Sequence, residues 1–297
     1  MDLVNHLTDR LLFAVPKKGR LYEKCITLLK GSDISFNRNN RLDIALCTNL
    51  PIALVFLPAA DIPTFVGEGR CSLGITGVDQ VKESGVDVEL ALDLAFGKCK
   101  LQLQVPQNGP YKEPKQLIGK TIVSSFTNLT RQYFEELEGV KPGEPIQTKI
   151  KYVGGSVEAS CALGVADAIV DLVESGETMR AAGLTDIDTL VTTSAHLIKS
   201  KHPSHPELAE TITSRIAGVL LAQKYVLCNY NAPRDILPGV LQLTPGRRAA
   251  TISPLEESDW VAVSSMIEKK EKGKIMDGLK KAGASDILLF DISNARE

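Results

Sequence analysis

Short apolar runs that alternate with helical patterns constrain the fold of this chain more than any other feature. The runs Leu11–Val15, Ile52–Leu57 and Ser72–Thr76 have the length of buried strands, and helical patterns follow them. Strands that alternate with helices predict a mainly parallel sheet with helices on both faces. The same alternation repeats between Leu101 and Leu172. We therefore predict two small α/β domains in this part of the chain.

The pattern changes after residue 200. A long amphipathic segment, Glu207–Tyr225, predicts a helix, because Leu208, Ile212, Ile216, Val219 and Leu220 recur at helical spacing. The segments after it alternate as strand, helix, strand, strand, helix and strand: 225–230, 234–241, 250–253, 260–267, 274–282 and 285–290. This β-α-β-β-α-β order is that of a ferredoxin-like unit, so we expect a separate C-terminal module.

Composition narrows the class of protein. The chain has 297 residues, 43% hydrophobic, with a net charge of −2, so its bulk charge does not recruit nucleic acid. We expect neither a secretory signal nor a membrane span, because no stretch approaches about 20 apolar residues. Six cysteines without a CxxC spacing indicate free thiols in a reducing compartment. The expected location is the cytoplasm.

The segment Asp167–Thr178, DAIVDLVESGET, carries the clearest chemistry. A strand ends near Asp171, a loop contains Ser175 and Gly176, and a helix follows Thr178. The start of a helix offers unpaired N–H groups, glycine allows close approach of an anion, and the two hydroxyls can donate. This arrangement predicts a phosphate cradle without a basic residue, although an ordinary turn with capping hydroxyls has the same pattern. Asp171 could bind sugar hydroxyls or Mg²⁺.

Two other helix starts invite the same two interpretations. GGSVEAS, residues 154–160, offers two glycines, a serine and Glu158, and it is either an anion site or a tight packing turn. SSFTNLTR, residues 124–131, is explained by helix capping alone or by anion binding. PKKGRL, residues 16–21, supplies cations at a strand end, and it is either a polyphosphate site or a solvated basic loop.

These segments together resemble the long-form ATP phosphoribosyltransferases of histidine biosynthesis, and specifically their fungal members. The resemblance covers nearly the whole chain. It is carried by PKKGRL, DIPTFVGEGRCSLGITG, GGSVEAS, ADAIVDLVESGETMRAAGL, TISPLEESDWVAVSSMI and GASDILLFDI. It implies two domains like type II periplasmic binding proteins that form a cleft, followed by a ferredoxin-like regulatory domain. The expected boundaries are 1–100 with 185–215, then 101–184, then 216–297, with Thr189–Ile198 as the strand that crosses back.

The resemblance implies transfer of the phosphoribosyl group of phosphoribosyl pyrophosphate to N1 of ATP, with release of pyrophosphate. It also implies Mg²⁺ dependence, inhibition by histidine, and homo-oligomers from dimers to hexamers. The residues expected to bind phosphoribosyl pyrophosphate are Asp171, Glu174, Ser175, Gly176, Glu177 and Thr178. Those expected near ATP or pyrophosphate are Lys17, Gly19, Arg20 and Arg70. Asp171 and Glu158 are the implied metal ligands, and Lys17, Arg20 and Glu158 are positioning candidates.

Two positions depart from the family pattern. Bacterial long forms often carry Ala or Gly where Glu177 stands, and an acid beside a phosphate is unfavourable unless it points away or faces Mg²⁺. Asn229 and Thr251 stand where relatives place effector contacts, and some relatives carry an acid near Asn229. The competing hypotheses are a non-catalytic solute sensor built on the same two-domain clamp and a short form that needs a separate regulatory subunit.

Overall fold

The computed structural model of the chain describes residues 7–38 and 42–296. It divides into two compact units: unit one comprises Met1–Ile26 and Ser35–Ala209, and unit two comprises Thr27–Ile34 and Glu210–Glu297. In unit one, the elements up to residue 106 are β1 (Leu11–Pro16), α1 (Tyr22–Gly31, which continues into unit two), β2 (Ile44–Leu46), β3 (Ile52–Leu57), α2 (Ile62–Gly67), β4 (Leu73–Gly77), α3 (Val78–Ser84), β5 (Glu89–Asp93) and β6 (Cys99–Pro106).

After a 3-10 turn at Pro114–Leu117, the remaining elements of unit one are β7 (Thr121–Ser124), α4 (Thr127–Glu138), β8 (Lys149–Tyr152), α5 (Ala159–Ala162), β9 (Ala168–Val173), α6 (Glu177–Ala181), β10 (Leu184–Thr193) and β11 (Ala195–Lys199). The elements that follow are α7 (Pro206–Lys224), β12 (Tyr225–Pro233), α8 (Leu237–Leu243), β13 (Thr251–Pro254), β14 (Trp260–Glu268), α9 (Lys272–Ala282) and β15 (Ser285–Asp291). The predicted elements are present with shifted ends. The helix predicted over Ser156–Leu163 is a single turn, and β2 and β5 were not predicted.

The first lobe of unit one is built on a six-stranded sheet of order β2-β3-β1-β4-β11-β5. Its centre is parallel, because β1 pairs with β3 and β4 in the same direction. The outer strands β2, β11 and β5 are antiparallel to their neighbours. The prediction of a mainly parallel sheet is therefore wrong, and the sheet is mixed. The cause is non-local: β11 enters this sheet on its return from the second lobe.

The second lobe is built on a five-stranded sheet of order β10-β6-β9-β7-β8. β7 is parallel to β8 and β9, whereas β6 is antiparallel to β9 and β10. β10 pairs with β6 from Leu184 to Thr193, so residues 185–193 lie on this sheet and not in the first domain, where they were expected. The chain crosses back at Ser194, between β10 and β11, within the predicted crossing segment.

Each lobe has its own apolar core. In the first lobe, Ala14, Ile62, Val66, Cys71 and Ile198 form a buried cluster beneath α2. In the second lobe, strand residues of β6, β7 and β9 pack with α4 around a fully buried phenylalanine. A second cluster under the loop that contains residue 157 joins the strand residues at positions 123 and 169. These cores hold the carboxyl ends of β1, β7 and β9 in place, where the predicted binding loops begin.

Unit two contains a four-stranded antiparallel sheet of order β13-β14-β12-β15, with α8 and α9 packed on one face. The helix-facing side of β12 carries Val226, Cys228, Tyr230 and Ala232, all buried. The expected domain boundary between residues 215 and 216 falls inside α7. Within residues 7–38 and 42–296, the structure contains no helix with the length and apolarity needed to cross a membrane.

Candidate active site

The loop between β9 and α6 forms a tight turn around Gly176. This glycine precedes the first residue of α6 and has φ +75°, a left-handed conformation that strains residues with a Cβ. The turn directs the first N–H groups of α6 toward the loop, and the side chains of Ser175 and Thr178 stand exposed beside them. The N–H of Glu177 reaches the Ser175 hydroxyl at 3.4 Å. The local geometry of the predicted cradle is therefore present.

Arg180 lies against the same turn, although the sequence predicts a cradle without a basic residue. Its Nη2 donates to the carbonyl oxygen of Ser175 at 3.2 Å. Its Nη1 lies 2.6 Å from the position that a Cβ on residue 176 would occupy. Gly176 is thus required twice, by its backbone conformation and by the space that this guanidinium fills. The prediction of a cradle without a basic residue is therefore wrong, because Arg180 contacts the turn.

The cradle opens on a cavity of about 280 Å³ whose lining includes every residue predicted to bind phosphoribosyl pyrophosphate. Two carboxylates of this lining, Asp171 and Glu158, influence one another. Burial raises the pKa of Asp171, and the nearby charge of Glu158 raises it further, against a hydrogen bond from the Leu172 N–H. The Asp171 Oδ1 accepts that N–H at 2.8 Å. A carboxylate whose charged form is disfavoured in this way suits a partner with positive charge or hydroxyl donors.

Arg20 brings the first lobe to this cavity. Its Nη1 lies 3.8 Å from the Glu174 Oε2. Burial raises the pKa of Cys99, and the positive charge of Arg20 nearby opposes that rise. Arg20 and Leu172 line both this cavity and a neighbouring one of about 150 Å³. The second cavity is also lined by Lys18, Gly19, Asp79 and Gln80. One guanidinium therefore stands at the junction of two pockets, where it could contact a group shared by two ligands.

The other basic residues predicted for this region are placed differently. The Lys17 Nζ lies 2.7 Å from a carboxylate oxygen of Asp43, and Lys17 lines neither cavity. Arg70 precedes β4, whereas Gly19 and Arg20 follow β1. Since β1 and β4 are parallel, Arg70 lies at the opposite edge of the sheet. The structure does not bring Arg70 to the candidate site, because Arg70 stands at the amino-terminal end of its strand, whereas the cavities are lined mainly by residues at or beyond the carboxyl-terminal ends of strands.

The two additional helix starts have clear outcomes. Glu158 immediately precedes the short helix α5, is partly buried and lines the larger cavity, so the GGSVEAS segment contributes a carboxylate. Before α4, the Ser124 hydroxyl donates to the carbonyl oxygen of Val170 at 2.6 Å and accepts the N–H of Phe126 at 2.9 Å, so it joins the sheet to the residue that precedes the helix. No side chain of the SSFTNLTR segment caps α4. The carboxylate of Glu83 accepts its first N–H groups, so this helix start does hold an anion, and the anion is a side chain of the protein itself.

Asn229 and Thr251, the predicted effector contacts, lie in one row across the open face of the unit-two sheet. Both pair in register with Ser264, from opposite sides. They line a cavity of about 370 Å³. The Asn229 Oδ1 is buried and accepts no hydrogen bond from the residues that the structure describes. A buried carbonyl oxygen without a donor is uncommon and invites a ligand that can donate.

Sequence reasoning missed two residues of the site besides Arg180. Gln104 lines the larger cavity at 2% exposure, and its Nε2 lies 3.4 Å from the Asp171 carbonyl oxygen. Asp79 lines the smaller cavity at 1% exposure and accepts a hydrogen bond from Thr193. In β6, Gln104 alternates with apolar residues as Lys100 and Gln102 do, so the sequence pattern did not distinguish it from them. In the sequence, Asp79 has the position of an acid in the first turn of a helix. Its hydrogen-bond partner, Thr193, is far away along the chain and cannot be inferred from neighbouring residues.

The fold and the site together define the class: a two-lobed α/β protein in which a glycine turn at a helix start and an arginine of the other lobe line one cavity. Comparison with known proteins then identifies the family. The model of the ATP phosphoribosyltransferase family matches residues 58–218, and the model of its C-terminal domain matches residues 222–294. The chain is 73% identical over 296 residues to the ATP phosphoribosyltransferase of Yarrowia lipolytica and 68% identical over 297 residues to that of Saccharomyces cerevisiae. Each match covers all of both chains.

A solved structure agrees with these matches. The ATP phosphoribosyl transferase (HisG:HisZ) complex from Thermotoga maritima contains a chain that is 25% identical, with a TM-score of 0.59, over 70% of this chain and 96% of that one. The chain belongs to the ATP phosphoribosyltransferase family, whose reaction is the first step of histidine biosynthesis, and its relatives confirm the long-form, fungal resemblance. The C-terminal match is inconsistent with a short form. The full-length matches to transferases likewise do not favour a solute sensor.

Proposed function

We propose that the chain transfers the phosphoribosyl group of phosphoribosyl pyrophosphate to N1 of ATP at the junction of the two cavities. The observation that carries the proposal is the convergence of the Gly176 turn, two carboxylates and Arg20 on one cavity of about 280 Å³. The turn is the proposed site for the 5′-phosphate, because it combines helix-start N–H groups with the exposed hydroxyls of Ser175 and Thr178, all of which can donate to a phosphate. Glu174, Gly176 and Glu177 complete the turn.

Asp171 and Glu158 are proposed to lie beside the ribose and to hold Mg²⁺. The residues fit this ion, because it prefers one or two carboxylates and takes its other ligands from phosphates and water. The raised pKa of Asp171 is also consistent with a cation in this place, since a cation would relieve the unfavourable charge. When bound, Mg²⁺ would supply charge neutralisation to the pyrophosphate leaving group.

The protein's own part in the transfer is positioning and charge stabilisation. The adenine nitrogen is itself the nucleophile, so no general base is assigned. Arg20, at the junction of the cavities, is proposed to hold pyrophosphate or the phosphates of ATP, with Gly19 giving close backbone approach. Lys17 is proposed to meet the same phosphates only after leaving Asp43. Carboxylates near the ribose favour the positive charge that develops at its C1 atom.

The C-terminal domain is proposed to be a ferredoxin-like regulatory domain that binds histidine. Its support is the element order of unit two and the unpartnered Asn229 Oδ1 beside Thr251. An amide oxygen can accept from the ammonium or the imidazole of histidine. We also propose homo-oligomers, dimers to hexamers, because Leu288 and Phe290 are 53% and 48% exposed on this domain. The same proposal includes a cytoplasmic location and three domains. The first comprises residues 1–100 and 194–215, the second residues 101–193, and the third residues 216–297.

The test of the transferase proposal is direct. The protein is incubated with ATP, phosphoribosyl pyrophosphate and Mg²⁺, with pyrophosphatase to remove pyrophosphate, and the product is followed by absorbance. Product that depends on both substrates supports the proposal, and its absence refutes it. Thr178→Ala is expected to weaken the binding of phosphoribosyl pyrophosphate far more than the binding of ATP. If a folded variant lost affinity for both substrates equally, that result would count against the placement of the 5′-phosphate.

A further inference from the structure

Helix α3 of the first lobe is bonded to the second lobe at its amino-terminal end. The Thr193 Oγ1 donates to the Asp79 Oδ1 at 2.7 Å, and the Asp79 N–H donates to the Thr193 Oγ1 at 3.0 Å. Both residues are buried, at 1% and 4% exposure. Thr193 is the last residue of β10, and thus of the second sheet. Gly77 leaves the space for this contact, because a Cβ there would collide with the Asp79 carboxylate.

The other end of α3 is bonded to a different element of the second lobe. The two carboxylate oxygens of Glu83 accept the N–H groups of Asn128 and Leu129, each at 2.9 Å. The carbonyl oxygen of Glu83 also accepts the Asn128 Nδ2 at 2.8 Å. Three hydrogen bonds therefore join one residue of α3 to the first turn of α4.

The contact gives the first N–H groups of α4 a hydrogen-bond acceptor that the residue at the start of the helix does not provide. The first N–H groups of a helix lack partners within the helix and carry partial positive charge, so a carboxylate is the favoured cap. The residue in the capping position of α4 is Phe126, which has no oxygen in its side chain. The cap is instead supplied by Glu83, across the junction between the lobes. A helix of 12 residues in one lobe is thereby completed by a residue of the other.

We propose that Glu83 is a positioning residue for the transfer reaction, which fixes the second lobe against the first through the cap of α4. The inference rests on the proposed function, in which the 5′-phosphate lies on the second lobe and the ATP phosphates meet the first. Each substrate can bind its own lobe without this contact, but the attack of one on the other needs a fixed distance between lobes. Glu83 lines neither cavity, so it acts through α4 and not on substrate.

The proposal predicts a separation of turnover from binding. Glu83→Ala should lower kcat by about 10- to 100-fold, since small misplacement of reacting groups has effects of this size. The Kd of phosphoribosyl pyrophosphate, measured by calorimetry without ATP, should stay within about twofold of the wild type, because its cradle is unchanged. Glu83→Gln, which keeps an acceptor and loses the charge, should retain an intermediate kcat. Amide hydrogen exchange at residues 128 and 129 should accelerate in Glu83→Ala.

Lys82→Ala is the matched control, because Lys82 is the preceding residue of α3, is exposed and lines neither cavity. It should leave kcat and exchange unchanged. The inference is overturned if Glu83→Ala keeps the wild-type kcat, or if its kcat falls while its Kd rises in proportion and Glu83→Gln restores neither. Wild-type turnover is measured first, and the absence of product would count against the proposed function. In that case, faster amide hydrogen exchange at residues 128 and 129 in Glu83→Ala would still support the cap itself.

Discussion

Replacement of Gly176 by alanine tests the cradle most sharply, because the structure gives two separate reasons for glycine there. Alanine at φ +75° costs about 1–2 kcal/mol relative to an ordinary backbone conformation. The new Cβ would also lie 2.6 Å from the Arg180 Nη1, so the guanidinium must leave and its bond to the Ser175 carbonyl oxygen is lost. That exposed hydrogen bond contributes about 0.5–1 kcal/mol.

The two effects sum to about 1.5–3 kcal/mol against the cradle conformation, which corresponds to a Kd for phosphoribosyl pyrophosphate that is weaker by about 10- to 150-fold. Calorimetric titration of Gly176→Ala measures this directly, and ATP affinity should change by less than about threefold. Arg180→Ala removes the collision, so in that background Gly176→Ala should show only the backbone part of the effect. The double-mutant comparison therefore separates strain from crowding.

Gly164→Ala is the matched control. Gly164 has φ +69° and lies in the same lobe, and a Cβ there would meet open space. It lines neither cavity, so this variant should lose stability to a similar degree without loss of phosphoribosyl pyrophosphate affinity. If Gly176→Ala binds within threefold of the wild type, or no worse than Gly164→Ala, then the turn is not the phosphate site and the argument fails.

Three further predictions concern charge, effector binding and thiols. Burial raises the pKa of Asp171 above its usual value of 3.8, so its charge opposes folding at neutral pH. Asp171→Asn should therefore raise the free energy of unfolding in urea at pH 7 and lower substrate affinity; the gain in stability should fade as the pH falls from the raised pKa toward 3.8 and be absent below 3.8. Asn229→Ala should weaken histidine binding and inhibition by about tenfold, with catalysis intact; unchanged inhibition would remove this residue from the effector site. Burial raises the pKa of Cys25 to about 12 and that of Cys71 to about 11, so maleimide at pH 8 should label them only after unfolding, which mass spectrometry can follow.

The parts of the site that were predictable from sequence are those that depend on neighbours along the chain. Strand, glycine, hydroxyls and helix follow one another within Asp167–Thr178, so the turn could be anticipated from local chemistry alone. The same holds for Glu158 beside the short α5. The six free cysteines and the elements of the C-terminal domain were also predictable, because composition and periodicity are local properties.

The parts that were not predictable depend on which elements meet in space. The placement of Arg70 is not among them: Arg70 precedes its strand and Arg20 follows its own, so their order along the chain already separates the two despite their similar setting in glycine-rich segments. The antiparallel entry of β11 makes the first sheet mixed, and nothing near residues 195–199 indicates the strands that they join. Helix capping by Glu83 is a contact over 45 residues, so a search for local caps cannot find it.

The acid in the cradle, Glu177, is explained by the charges around it. Its side chain is exposed, so water screens it, and it stands in the first turn of α6, where an acid is favourable. The other acid of the loop, Glu174, faces Arg20 at 3.8 Å, and Arg180 adds a second guanidinium on the carbonyl side of the turn. Two acids and two guanidinium groups thus surround the turn, and its N–H groups remain the local source of positive potential. Under the proposed function, an incoming phosphate would be held by the backbone, and Arg20 would meet the pyrophosphate at the junction of the cavities.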